Sequence, residues 1–192
     1  DGVSIFDWNK SEVGKHLGYL PQDIELFDGT LAENVTRFGE RDQIKLDAAI
    51  EGAGLDSYVK NIAEGVDIKL NSDNMRIPGG IKQKIGFARA IYDDPKLIVL
   101  DEPTSNMDSS SEKKFIESIK KLKSKKSTIV VITHSKEIFR VSDYILTLEN
   151  GEQRTYDSIK NIFNKIKAQQ EKKSILEKQK QTFLTQKKNN DS

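Results

Sequence analysis

The chain has 192 residues, enough to bury one sizeable core, and its 31 Lys and Arg nearly cancel its 30 Asp and Glu. That balance lacks the positive field on which nucleic-acid binding depends, and no nucleic-acid partner is expected. The absence of cysteine excludes a disulfide framework and a thiolate metal site, two histidines are too few for a histidine-rich one, and no apolar run approaches the ~20 residues of a membrane span.

The chain opens on "DGVSIFDW", with Asp1 in place of a methionine, and is expected to be a piece of something longer. Residues 16–20, "HLGYL", predict a short strand closed by Pro21, and Asp28-Gly29-Thr30 a turn before an amphipathic stretch over 31–38. Ile44, Leu46, Ala48, Ala49 and Ile50, then Leu55, Tyr58, Val59 and Ile62, extend a largely helical region over about 30–92. Within it the polar segment 71–76 reads as a loop.

The stretch "RIPGGIKQKIGFARA", residues 76–90, follows. Pro78 suits the first position of a helix, and Ile81, Ile85, Ala88 and Arg89 keep helical spacing to about Tyr92. Gly79 and Gly80 allow backbone amides close to a ligand at the positive end of the helix dipole. Taken alone, the segment is either an anion site or a glycine-rich turn into a surface helix.

"PKLIVLDEP" is an apolar run too short for a helix and bounded by Pro95 and Pro103, the pattern of a strand buried on both faces. Residues 109–123 predict a helix that serines can cap, with Phe115, Ile116, Ile119 and Leu122 on one face. "STIVVIT" is a second buried strand, and "YILTLENGE" a third that turns at Asn150-Gly151. Alternating strands and helices predict an α/β fold with a mostly parallel sheet covered on both sides. From Asp157 the pattern is helical, with Ile159, Ile162, Phe163 and Ile166 in one stripe, and beyond Ala168 it thins to a solvated Lys/Gln-rich tail.

The most specific feature is "LIVLDEPTSNMD", residues 97–108. A buried strand that delivers adjacent carboxylates at its C-terminal end puts them where α/β sheets bind ligands. Asp101 suits Mg2+, usually through water, and Glu102 is placed to polarise an attacking water. At the end of the next strand, His134 is expected beside Glu102, where an imidazole can contact a γ-phosphate. Gln22, just past the first strand in "YLPQDIELFDGTLAENV", takes its meaning from this company.

In order, "PQD…LFDGT…EN", "GG…QKIGFARA", "LIVLDEPTSNMD" and "ITH" resemble the nucleotide-binding domain of ABC transporters, a P-loop NTPase fold, over residues 1 to about 157. Within the exporter branch the segments are most similar to the ATPases of type I protein secretion, the alkaline protease secretion type. The resemblance implies that Gln22 senses Mg2+ and the membrane domains, and that Gly79 and Gly80 contact the γ-phosphate held by the opposite subunit. It makes Asp101 the Walker B aspartate, Glu102 the catalytic base, Asp108 the D-loop residue and His134 the switch histidine. It further implies ATP and Mg2+ as ligands and a head-to-tail dimer with a second ABC ATPase subunit. Transmembrane exporter domains, a periplasmic adaptor and an outer-membrane channel complete the expected partners, at the cytoplasmic face of the inner membrane.

Two departures bear on activity. No G-x-x-x-x-G-K-[ST] occurs, so the Walker A lysine and its phosphate cradle are expected to precede Asp1, and the 192 residues alone are expected to bind ATP poorly. In place of the usual Leu-Ser-Gly-Gly-Gln signature, Pro78 replaces the serine hydroxyl and Ile81 the glutamine. These changes frame the alternative of a degenerate subunit that pairs with a complete one. "NSDN" at 71–74 stands where exporters carry a glycine-and-glutamate loop facing the membrane domains.

Overall fold

The computed structural model describes residues 4–70, 77–168 and 170, in two units, Asp1–Ser135 and Lys136–Ser192. The polar segment 71–76 and the tail beyond 170 lie outside the described residues.

The first unit is organised by a parallel sheet of three strands, β1 (Leu17–Leu20), β2 (Leu97–Asp101) and β3 (Thr128–Ile132), with β2 in the middle. The register runs Leu17 to Leu97 to Thr128 and Leu20 to Leu100 to Val131. Helices α1 (Lys10–His16), α2 (Leu31–Thr36), α3 (Gln43–Gly52), α4 (Asp56–Lys60), α5 (Gly79–Ile91) and α6 (Ser109–Ser124) complete the unit, with 3-10 turns at Ile5–Asp7 and Gly65–Asp67.

Helix α5 lies directly on the sheet because two glycines remove the side chains that would hold it off. A Cβ on Gly18 of β1 would stand 2.1 Å from the Ala90 carbonyl oxygen, and one on Gly86 of α5 would stand 2.7 Å from the Leu20 side chain. The same face of the sheet buries Leu20, Ile98 and Leu100 completely, together with Ile85 and Phe87 of α5. Phe87 stacks at a tilt on Phe115 of α6, with ring centroids 4.7 Å apart.

The opposite face corrects an expectation. Tyr19, Val130 and Ile132 are 54, 47 and 52% exposed, so among the described residues the sheet is covered on one side. "STIVVIT" is therefore a half-exposed edge strand, not a buried one. The uniform apolar run carries no record of which face is covered.

Capping sets the element ends. Thr30 and Glu33 form a capping box on α2, each side chain reaching the other's backbone N–H. The predicted serine cap on α6 is instead Asp108, whose carboxylate accepts from the Ser111 amide at 2.7 Å. That bond lowers the Asp108 pKa from its ordinary value.

The predicted amphipathic stretch over 31–38 stops at Thr36, because Arg37 turns left-handed. The Arg37 guanidinium bonds the carbonyls of Leu17 and Arg89, and Arg89 in turn donates to the Asn34 side-chain and main-chain oxygens at 2.8 and 2.9 Å. Burial lowers both arginine pKa values from the ordinary one, and for Arg89 the neighbouring Arg37 charge adds to it.

In the second unit α7 (Lys136–Val141) precedes an antiparallel pair, β4 (Tyr144–Glu149) and β5 (Glu152–Ser158). The turn at Asn150-Gly151 has φ of 53° and 81°, the paired positive values of a type I′ hairpin. The third strand of the sequence reading thus belongs to a separate ribbon. A helix follows over 159–168.

Candidate functional site

Because β1, β2 and β3 are parallel, their C-terminal ends share one edge, and the chain leaves each strand there. Gln22 follows β1 by two residues, Glu102 follows β2 by one and His134 follows β3 by two, while Asp101 closes β2 opposite Ile132. Sequence-distant residues are brought to one sheet edge, the usual place for a ligand in an open α/β sheet.

Glu102 is held in an unusual backbone. Its φ is 43°, in the left-handed region that costs a non-glycine residue about 1 kcal/mol or more. The Glu102 N–H donates to the Ile132 carbonyl at 2.9 Å, so the turn remains tied to the neighbouring strand after the ladder ends. The carboxylate is three-quarters shielded, and its Oε1 lies 3.7 Å from His134 Nε2, whose ring is fully exposed. The pairing of Glu102 with His134 expected from sequence is thus present, as an ion pair whenever the imidazole is protonated.

The turn 104–107 packs against the start of α5. Pro78 is the N-cap, at φ −55° and ψ 143°, and provides no side-chain hydrogen bond to the first turn. A Cβ on Gly80 would lie 2.9 Å from the Asn106 carbonyl oxygen, and one on Gly79 would lie 3.8 Å from the Asn106 side chain. Gly80 therefore admits the turn, and Pro78 at the N-cap leaves the helix's first amides without a side-chain cap. Asp108 lies at the far end of this turn, exposed, with its carboxylate engaged at the start of α6.

One residue of this neighbourhood escaped sequence reading. Gln83 is 1% exposed, and its Nε2 donates to the Glu102 carbonyl oxygen at 3.2 Å. Its spacing of three and four from Gly80 and Gly79 puts it on their face of the helix, and that spacing was the available signal.

The oxygen donors Asp101 and Gln22 are the type Mg2+ prefers. Among the described residues no group of three or more His, Asp or Glu gathers as a dedicated metal cage. Mg2+ is usually held by one or two carboxylates together with substrate phosphates, so a single strand-end aspartate fits it.

A family model for the ABC transporter matches residues 1–105. The chain belongs to the ABC transporter family. It is 32% identical over 167 residues to the type I secretion system ATP-binding protein PrsD of Rhizobium meliloti (strain 1021), covering 86% of this chain and 29% of that protein. It is 34% identical over 151 residues to an ATP-dependent lipid A-core flippase of Burkholderia orbicola (strain AU 1054), covering 79% and 25%. Among solved structures, a bacterial Atm1-family ABC exporter with ATP bound superposes with a TM-score of 0.77 at 25% identity, over 86% of this chain and 29% of the other. The chain thus spans less than a third of the length of these relatives. The exporter branch of the ABC family and its ATPase fold account for the parallel sheet and the helices beside it.

Proposed function

We propose that this chain is part of the ATP-hydrolysing component of an ABC exporter that drives type I protein secretion across the inner membrane. The observation that carries the ATP-hydrolysing part of this reading is the Glu102 and His134 pair, 3.7 Å apart at the C-terminal edge of a parallel sheet, and similarity to a type I secretion system ATP-binding protein supports the secretion part. Phosphoryl transfer asks the protein chiefly for positioning and electrostatics, and this edge supplies a shielded carboxylate next to an exposed imidazole.

In this reading Glu102 orients the attacking water and takes its proton, and His134 contacts the γ-phosphate. Asp101, with Gln22 nearby in the order of the sheet, would hold Mg2+, which would neutralise charge on the phosphate oxygens. The amides of Gly79 and Gly80 face the nucleotide of a second ABC ATPase subunit in a head-to-tail dimer, and Asp108 borders that interface. Residues 1–157 are read as part of the ATPase domain, with the helical subdomain over about 30–92, and they contain no G-x-x-x-x-G-K-[ST] segment.

Transmembrane exporter domains dock on the helical side. Phe27 and Phe38 meet edge to face at 6.2 Å, both half exposed, and Arg89 lies over the Phe27 ring at 5.2 Å. With Asn34 and Arg37 they line an apolar groove of about 380 Å³ in the segment after Gln22, which supports this face as the docking surface. Among the described residues no helix is long and apolar enough to cross a membrane. A periplasmic adaptor and an outer-membrane channel would complete the route.

The substrate is tested by disrupting the gene and comparing secreted proteins with delivery of lipid A-core to the outer face of the inner membrane. Loss of a secreted protein with normal lipid A-core delivery supports the proposal. Retained lipid A-core with an unchanged set of secreted proteins overturns it in favour of a flippase.

A further inference from the structure

We infer that Gln83 is a positioning residue for Glu102: from inside α5 it fixes the backbone that aims the carboxylate. The inference rests on the reading of Glu102 as the base.

Burying a primary amide is unfavourable unless its hydrogen bonds are met, and Gln83 is almost wholly buried. Its Nε2 reaches out of the helix and donates to the main-chain oxygen of Glu102, 19 residues on in sequence, at 3.2 Å. The acceptor belongs to the residue that carries the carboxylate.

That backbone needs holding. Glu102 sits at φ 43° and precedes Pro103, which already narrows the conformations of the residue before it. The bond from its N–H to the Ile132 carbonyl anchors the side of the residue governed by φ. Its carbonyl, whose direction is set by ψ, accepts from the Ser105 amide at 3.3 Å and from Gln83 at 3.2 Å. With both sides anchored, the direction of the Cα–Cβ bond is fixed, and with it the reach of the carboxylate toward His134.

The Ser105 bond lies within the same turn and moves with it, whereas Gln83 ties the turn to a separate and rigid element. Gly80, one helical turn earlier on the same face, brings that element close, since a Cβ there would stand 2.9 Å from Asn106 O. Helix α5 and the turn after β2 are thereby joined at two points, one steric and one a hydrogen bond.

The test uses the full-length protein in its membrane-reconstituted form, with steady-state ATPase kinetics and thermal unfolding. Gln83→Met keeps the volume and removes the donor, and Gln83→Leu removes it with a second apolar side chain of similar size. For both, kcat is expected to fall about five- to fifty-fold while the KM for ATP stays within about two-fold. Ser118→Ala is the structural control, because the Ser118 hydroxyl bonds the Gly52 carbonyl away from Glu102; it is expected to lower the Tm and leave kcat unchanged.

An unchanged kcat in both Gln83 variants overturns the inference, as does an equal loss of kcat in Ser118→Ala. If Glu102→Gln abolishes turnover while the Gln83 variants are silent, the inference fails alone. If Glu102→Gln itself turns over normally, the reading of Glu102 fails and takes the inference with it.

Discussion

The sheet edge and the start of α5 meet the same turn but are built in opposite ways. At the edge the proposed chemistry is in side chains, those of Asp101, Glu102 and His134, and the Glu102 backbone is in a left-handed conformation. At the helix start the proposed chemistry is in the backbone amides of Gly79 and Gly80, while the side chains of Pro78 and Ile81 carry no donor. A site of side chains is lost through a single atom exchange, whereas a site of amides survives changes of side chain and is lost when a side chain is added. The two kinds of construction therefore fail under different substitutions.

The largest expected effect is on the edge. In the full-length protein, Glu102→Gln removes the base at constant shape, and steady-state phosphate release is expected to fall about a hundred- to ten-thousand-fold. His134→Ala follows, with a loss on the order of ten- to a hundred-fold in kcat, because a contact to a charged phosphate disappears. A wild-type rate in either variant would mean that the edge does not carry the chemistry.

The helix start is expected to move the other way. Pro78→Ser restores a hydroxyl donor to a charged phosphate, and turnover should rise up to about ten-fold. No rise would show that the glycine amides already supply what the site needs, which sharpens the contrast. Away from both regions, Thr30→Ala breaks the capping box of α2 and should cost about 1 kcal/mol, a downward shift of a few degrees in Tm with kcat unaltered.

Much of the edge was legible in the sequence, because a short apolar run ending in carboxylates places them at a strand terminus by geometry alone. Residues 97–101 became a strand with Asp101 closing it, and Asn150-Gly151 made its hairpin. Residues 79–91 became the helix, starting at the glycines. The exposed face of the sheet was not legible, since Tyr19, Val130 and Ile132 have the same composition whether covered or open. Nor was the Asp108 cap, where three serines compete for the same role in the sequence.

Gln83 shows the deeper reason. Between two lysines it reads as part of a solvated basic face, yet it is buried while its neighbours are not, because helical rotation separates adjacent residues by 100°. The half-buried arginines Arg37 and Arg89 were hidden in the same way, their partners being mostly backbone carbonyls that no sequence pattern announces. Polar residues inside a protein are placed by tertiary geometry, and sequence periodicity speaks mainly for the apolar ones.

The central claim is that Glu102 serves hydrolysis and not nucleotide binding. The direct measurement is the nucleotide retained by full-length Glu102→Gln protein after incubation with Mg2+ and ATP and removal of the excess. The account predicts intact ATP, bound and uncleaved. Recovery of ADP and phosphate at the wild-type rate would contradict it.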